Sequence, residues 1–166
     1  MKFSRLAKHL VVPRWLSLRG IANHEIRKIQ EAIRESEKHH LGEIAFILEG
    51  GLPLPFLFMK KPARARAEDL FARLRLWDTE HNSGILVYVQ QVDRRIEIVA
   101  DRGIAARVAQ AEWDAICREM EGAFREGRFA DGALRAIERC TALLVAHFPS
   151  RGRRNPNELP DRPILL

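Results

Sequence analysis

The chain has 166 residues, of which 46% are apolar and 30% charged, and its net charge is +6. This length predicts one domain. The sequence has no apolar run of about 18 residues, which excludes a transmembrane helix. It also has no signal-peptide pattern, so we expect a cytoplasmic protein. The basic charge lies at the two ends of the chain, so no basic face is expected on the domain and nucleic-acid binding is disfavoured.

Residues 1–19 form a basic N-terminal segment in which the apolar residues between positions 3 and 11 share one helical face. A short amphipathic helix of this kind either lies on a membrane or docks on its own domain, and the sequence leaves both open. A longer helix is predicted over residues 21–38, with three isoleucines facing the core. Glu37 and His40, near its end, are expected in solvent.

Residues 43–48 form the first predicted strand. The segment 52–61, LPLPFLFMKK, combines large apolar residues with two prolines, which predict neither a helix nor a central strand. It is either an irregular loop packed over the sheet edge or an exposed lip that a partner or lipid recognises. The next helix, residues 63–76, is long enough for a parallel crossover, and its arginines, Arg66 included, are expected off the inward face.

Residues 85–89 and 95–100 are predicted to form an antiparallel hairpin, because a tight polar connection separates two runs of strand-forming residues. With Val92 and Asp93 as the turn, the expected opposite pairs are Gly84 with Asp101 and Asn82 with Gly103. The polar loops 78–84 and 101–103 should therefore meet at one end of the hairpin. Any functional site is expected there.

After the hairpin, the apolar spacing predicts a short helix over residues 104–109 and longer helices over 110–125 and 130–147. The last stretch, residues 150–166, is polar and rich in proline, and we expect an extended tail that packs against the body. Cys117 and Cys140 lie on helical apolar stripes, so both are expected to be reduced core thiols.

The two loops contain oxygen ligands of the kind that hard cations prefer. Asp78, Glu80, Asn82 and Asp101 are candidate ligands for Ca²⁺ or Mg²⁺. A metal held there would polarise a phosphoryl oxygen, and Asp78 or Asp101 would be the catalytic nucleophile or base. The alternative is purely structural, because the same residue types form turns and cap helices.

The second loop also suggests an anion site. Arg102 can hold a phosphate. The other candidate anion-binding groups are Asn82 and the backbone N–H groups around Gly103, at the start of the predicted helix. An ordinary ion pair between Arg102 and Asp101 is the structural alternative.

Several motifs in order resemble the TPM domain family, and the resemblance spans residues 20–163. The motifs are WDTEHNSGILVYV (77–89), ADRGI (100–104), MEGAFREGRFADGAL (120–134), HFP (147–149) and NELPDRP (157–163). The similarity is greatest to a short proteobacterial branch without a signal peptide. The resemblance implies an α/β fold, a three-layer α/β/α sandwich around a small mixed sheet with a central antiparallel hairpin. This TPM-like domain would span residues 20–149, between the N-terminal segment and the tail.

For function, the resemblance implies two alternatives. The first is a non-catalytic binding or accessory module that works with a membrane protein partner, for example a LemA-type protein, through peripheral contact at the inner membrane. The second is a divalent-metal-dependent acid phosphatase that uses Asp78, Glu80 and Asp101. Secreted relatives have an Asp-containing strand before the first helix, whereas residues 11–15 here, VVPRW, contain no carboxylate. The sequence therefore favours the accessory module.

Overall fold

The computed structural model describes residues 7, 9, 11, 21–153, 155, 156 and 158–166. The predicted N-terminal helix lies outside these residues except for Ala7, His9 and Val11, which are helical. No helix within the described part of the chain is both long and apolar enough to cross a bilayer.

Six helices and four strands are described. In chain order they are α1 (Asn23–Ser36), β1 (Glu43–Glu49), α2 (Leu54–Phe58), α3 (Ala63–Arg73), β2 (Gly84–Gln90), β3 (Arg95–Ala100), α4 (Arg102–Ala105), α5 (Gln110–Arg125), α6 (Phe129–His147) and β4 (Ile164–Leu165).

The strands form one mixed sheet in the order β3-β2-β1-β4. β1 is parallel to β2 and to β4, and β2 is antiparallel to β3. Parallel neighbours need a crossover connection, and α3 provides the one between β1 and β2. β4 belongs to the predicted tail, which therefore becomes an edge strand.

Helices cover both faces of the sheet, which confirms the three-layer α/β/α sandwich. On one face, alternate residues of β1, β2 and β3 pack with α1, α5 and α6 in the larger apolar cluster. On the other face, the remaining positions of these strands pack with α3. β1 and β2 are consequently buried along their whole length, as expected for strands covered on both sides.

Two predictions about the segment after β1 are wrong. Residues 54–58 form helix α2, although the two prolines predicted no helix there. Pro53 precedes the helix and Pro55 lies in its first turn. A residue in the first turn needs no N–H for a helical hydrogen bond, so both prolines are tolerated. Arg66, which was expected off the inward face of α3, is only 9% exposed. Its length allows it to reach the carboxyl end of β1, where a carboxylate binds it.

The solvent positions predicted for Glu37 and His40 are also wrong, since both side chains are buried. The chain turns back sharply after α1 and runs beside the end of α6, where the Leu41 N–H donates to the Phe148 carbonyl at 2.9 Å. Nδ1 of His40 donates to the Gly42 carbonyl at 3.0 Å. The packing of this short connection against the rest of the domain buries Glu37 and His40. Helical periodicity in the sequence does not indicate such packing.

A buried ion network closes the carboxyl end of β1. Arg66 binds Glu49 with two nitrogens, at 3.0 Å from Nε and 2.6 Å from Nη2, and its Nη1 donates to Asp69 at 2.8 Å. The Tyr88 hydroxyl donates to Glu49 at 2.6 Å. The Arg66 guanidinium also lies 5.2 Å from the centre of the Phe56 ring. The carboxylate is therefore fully compensated despite its burial.

Replacement of Arg66 by Ala should destabilise the domain by about 3–5 kcal/mol, because Glu49 would stay buried without a cation. The matched control is Arg73→Ala on the same helix: Arg73 also binds Asp69 but is exposed, so its loss should cost about 0–1 kcal/mol. Urea unfolding of both variants measures the difference. Equal losses of unfolding free energy would contradict a structural role for the buried network.

Candidate functional site

The loops before β2 and after β3 meet at one rim of the sheet, as the predicted hairpin register requires. The Asp101 N–H donates to the Gly84 carbonyl at 2.8 Å, and the Gly103 N–H donates to the Asn82 carbonyl at 2.9 Å. These bonds continue the ladder in which Ile85 pairs with Ala100. Residues 78–84 and 101–103, the loop rim, are thus held together by their backbones.

The first half of the loop rim is a tight turn built around Thr79. The Asn82 N–H donates to the Thr79 carbonyl at 3.1 Å, and the Ser83 N–H donates to the Thr79 hydroxyl, also at 3.1 Å. Asn82 has φ +50°, a left-handed conformation that asparagine tolerates better than most residues. Asn82 and Thr79 therefore have evident structural roles.

The three predicted carboxylate ligands differ in exposure, although the backbones of their loops meet. Asp78 is exposed, and its carboxylate lies 4.0 Å from Arg75. Glu80 is exposed as well, with its carboxylate 3.9 Å from Nε2 of His81. Asp101, in contrast, is buried. Nowhere in the described part of the chain do three or more His, Cys, Asp or Glu side chains form a group that could hold a metal ion.

Asp101 combines a structural bond with one unused oxygen. Its Oδ1 accepts the Arg102 N–H at 2.7 Å, so it caps the short helix α4. Its Oδ2 is buried and has no hydrogen-bond partner within the described residues. Burial raises the pKa of this carboxyl above its ordinary value. At the predicted anion site, the Gly103 N–H already donates to the Asn82 carbonyl and is not available to an anion. The Arg102 side chain is exposed.

A set of carboxyl side chains that was not predicted from the sequence lies beside the loop rim. Glu43 begins β1, pairs in register with Gly84, and is 1% exposed. Its Oε1 accepts the Glu158 N–H at 3.3 Å, while its Oε2 is buried without a partner within the described residues. The acidic cluster consists of Glu37, Glu43, Glu158 and Asp161. An acid at each end of the apolar run EIAFILE is the one sequence signal that points to it.

Burial raises the pKa values of two members of the cluster, Glu37 and Glu43. It raises the pKa of Glu37 to about 9, with further increases from the nearby carboxyls of Glu43 and Asp161. It raises the pKa of Glu43 to about 7, although the N–H of Glu158 favours the charged form. Among the described residues, no salt bridge joins a cation to Glu37 or Glu43 as Arg66 is joined to Glu49, so burial favours the protonated form of both.

The acidic cluster and the loop rim share a small cavity with room for about one water molecule. It is lined by Leu41, Glu43, Glu80, His81, Asn155, Pro156 and Glu158. Two parts of the chain that are distant in sequence, the loop before β2 and the tail, therefore meet beside the start of β1. Carboxyl, imidazole and amide side chains, all of which can form hydrogen bonds, line this cavity.

Comparison with known proteins gives a family match and a structural match. The family model described as the TPM domain matches residues 20–143. The NMR structure of the BA42 protein from the psychrophilic bacterium Bizionia argentinensis is similar, with a TM-score of 0.74 and 29% identity over 86% of this chain and 93% of that chain. A search of curated proteins finds no match.

The close backbone contact of the loop rim can be tested at Gly103. A Cβ there would lie 2.5 Å from the Asn82 carbonyl oxygen and 2.6 Å from that of His81. Gly103→Ala should therefore separate the loops and destabilise the protein by roughly 1–3 kcal/mol. The control Gly122→Ala, in α5 with no atom within 4 Å of the added Cβ, should stabilise it by up to about 1 kcal/mol. Thermal unfolding distinguishes them, and an unchanged midpoint for Gly103→Ala would contradict the tight loop contact.

Proposed function

We propose that this chain, which belongs to the TPM domain family, is a non-catalytic accessory module that docks on a membrane protein through the apolar turn, residues 54–59. The observation that carries the proposal is the exposure of Leu54, Phe58 and Met59, at 49%, 63% and 64%. Adjacent exposed apolar side chains on a rigid segment are typical of contact surfaces.

The geometry of the turn suits an anchor. Leu54 and Phe58 are four residues apart in α2 and therefore lie on the same side of the helix. Leu57, between them, is buried and attaches the turn to the domain. Pro53 and Pro55 restrict the backbone further, so docking orders little additional structure and loses little conformational entropy.

Positive charge beside the turn indicates the chemistry of the partner. Lys60 and Lys61 follow it directly, and both are exposed. His9 joins the basic N-terminal segment to the same region: its Nδ1 accepts the Leu52 N–H at 3.0 Å, and its Nε2 contacts Asp93 at 3.0 Å. A partner with an apolar groove and an acidic rim would complement this surface.

The loop rim supports a role without catalysis. Asp78 and Glu80 are exposed, and Asp101 caps α4, so each carboxylate occupies an ordinary structural or solvent position. An accessory module would use the rim as a rigid brace between the hairpin and the helices that follow.

The alternative function, a Ca²⁺- or Mg²⁺-dependent acid phosphatase, has one supporting observation: the buried, unpartnered Oδ2 of Asp101. In that mechanism Asp101 would be the nucleophile or base, and Asp78, Glu80 and Asn82 would complete the metal ligands. Phosphomonoester hydrolysis with added Mg²⁺ or Ca²⁺ should then fall by at least about 100-fold in Asp101→Asn. Arg94→Gln, in the exposed hairpin turn, is the control. Turnover that is absent in the wild type, or equal in Asp101→Asn, would exclude this alternative.

The docking proposal predicts that Phe58→Glu with Met59→Glu will weaken binding to native membranes by about tenfold or more, because a buried aromatic anchor contributes roughly 2 kcal/mol. Val145→Glu is the control, since Val145 is an exposed apolar residue on α6. Co-sedimentation with membrane vesicles from the source cells measures the effect.

Protease treatment of the vesicles should abolish binding if the partner is a protein. Wild-type binding that survives this treatment, or equal binding to protein-free anionic liposomes, would contradict a protein partner. Equal losses in the Val145 control would contradict the assignment of the surface.

A further inference from the structure

The last strand, β4, is the shortest of the described strands and lies at the outer edge of β1. It pairs with β1 in parallel over two positions. Just beyond it, the Leu166 N–H donates to the Leu48 carbonyl at 2.8 Å, and the Gly50 N–H donates to the Leu166 carbonyl at 3.0 Å. Residues 164–166 are therefore held to β1 by a short stretch of backbone hydrogen bonds.

The side chains of residues 164–166 alternate between the domain and solvent. Ile164 and Leu166 pack against the apolar cluster on the α3 face of the sheet, whereas Leu165, between them, is 38% exposed. Successive side chains of a strand point to opposite faces, so the first and third residues contact the domain and the second does not need to. Sheet edges recognise extended peptides in this way: backbone hydrogen bonds contribute affinity, and contacts with alternate side chains contribute specificity.

More of the outer edge of β1 is suited to strand pairing than β4 uses. β1 has seven residues, and within the described part of the chain strand pairing on this side is limited to the two positions of β4. The Ile44 N–H, which faces the same side as the Leu48 carbonyl, donates to the Glu37 carboxyl at 3.4 Å, which is long for a hydrogen bond. An extended peptide longer than β4 could therefore pair with more of β1 than the chain's own segment does.

We propose that the outer edge of β1 is a strand-acceptor edge for an extended peptide of a partner protein with aliphatic residues at its first and third positions. Residues 164–166 occupy this edge within the chain until such a peptide displaces them. The inference is independent of the docking function proposed above, because it uses residues other than those of the apolar turn. Either proposal can fail without the other.

The chain's own segment defines the chemistry of the partner peptide. The residues that Ile164 and Leu166 pack against are mostly aliphatic and aromatic, so a charged residue at either position would lose these contacts. Pro163, directly before β4, is buried and restricts the backbone to a conformation compatible with an extended strand. The peptide runs parallel to β1, as β4 does. The partner therefore presents an aliphatic-x-aliphatic motif in an extended segment.

Competition with the tethered segment controls access to the strand-acceptor edge. A segment tethered within the same chain acts at an effective concentration on the order of millimolar, so a free peptide of the same sequence competes poorly in the wild type. Substitution of Ile164 and Leu166 by charged residues weakens the tethered segment and leaves β1 unchanged. The apparent affinity for an added peptide should consequently rise.

Fluorescence anisotropy tests this competition on the full chain. The probe is a labelled peptide with the sequence of residues 159–166, LPDRPILL. It should bind the double variant Ile164→Asp with Leu166→Asp at least about tenfold more tightly than the wild type. Leu165→Asp is the matched control on the same strand: its side chain is partly exposed, so this variant should bind the peptide as the wild type does. A peptide with Asp at its sixth and eighth positions should bind none of these proteins.

Equal affinity in the wild type and the double variant, or binding of the Asp-substituted peptide as tight as that of LPDRPILL, would overturn the proposal. If circular dichroism shows that the double variant is unfolded, NMR of the ¹⁵N-labelled wild type decides the question. Unlabelled LPDRPILL at millimolar concentration should move the amide signals of Leu165 and Leu166 toward random-coil positions, while signals from α6 stay in place. Unchanged Leu165 and Leu166 signals would overturn the strand-acceptor edge.

Discussion

The burial of β1 on both faces is the constraint on which the rest of the structure depends. Every residue from Glu43 to Glu49 is removed from water, and this includes an acid at each end of the strand. A buried carboxyl must either bind a cation or keep its proton, because an isolated charge in a low-dielectric interior is too costly. The protein uses one solution at each end of the same strand.

At the carboxyl end of β1, Arg66 and Tyr88 donate to Glu49 and neutralise it. This ion network also joins α3 to the sheet, and its guanidinium lies over the ring of Phe56, a residue of the apolar turn. The exposed side chains of that turn are therefore presented from a rigid base. This arrangement favours recognition of a partner, because side chains that are already ordered lose less conformational entropy on binding.

At the amino end, none of the hydrogen bonds that Glu43 makes with the described residues comes from a basic side chain. The Glu158 N–H donates to the Glu43 carboxyl, and burial raises the pKa of Glu43 to about 7. The loop rim lies at this same end, because Glu43 pairs with Gly84. The loops with Asp78 and Asp101 thus border buried carboxyl groups whose pKa values are raised, whereas an arginine–carboxylate network holds the opposite end of the sheet.

The sequence alone determined the hairpin, its register and the meeting of the two loops, because strand alternation and a short turn are local signals. It also indicated the sandwich, through the ordered family motifs. It placed Arg66 off the inward face of α3 and placed Glu37 and His40 in solvent. Helical periodicity does not show that a long arginine side chain reaches a neighbouring strand, or that the tail covers a connection. Only the tertiary structure decided that Asp78 and Glu80 are exposed while Asp101 is buried, and that acids distant in sequence line one cavity. The reason is that side-chain convergence depends on how separate segments pack in space.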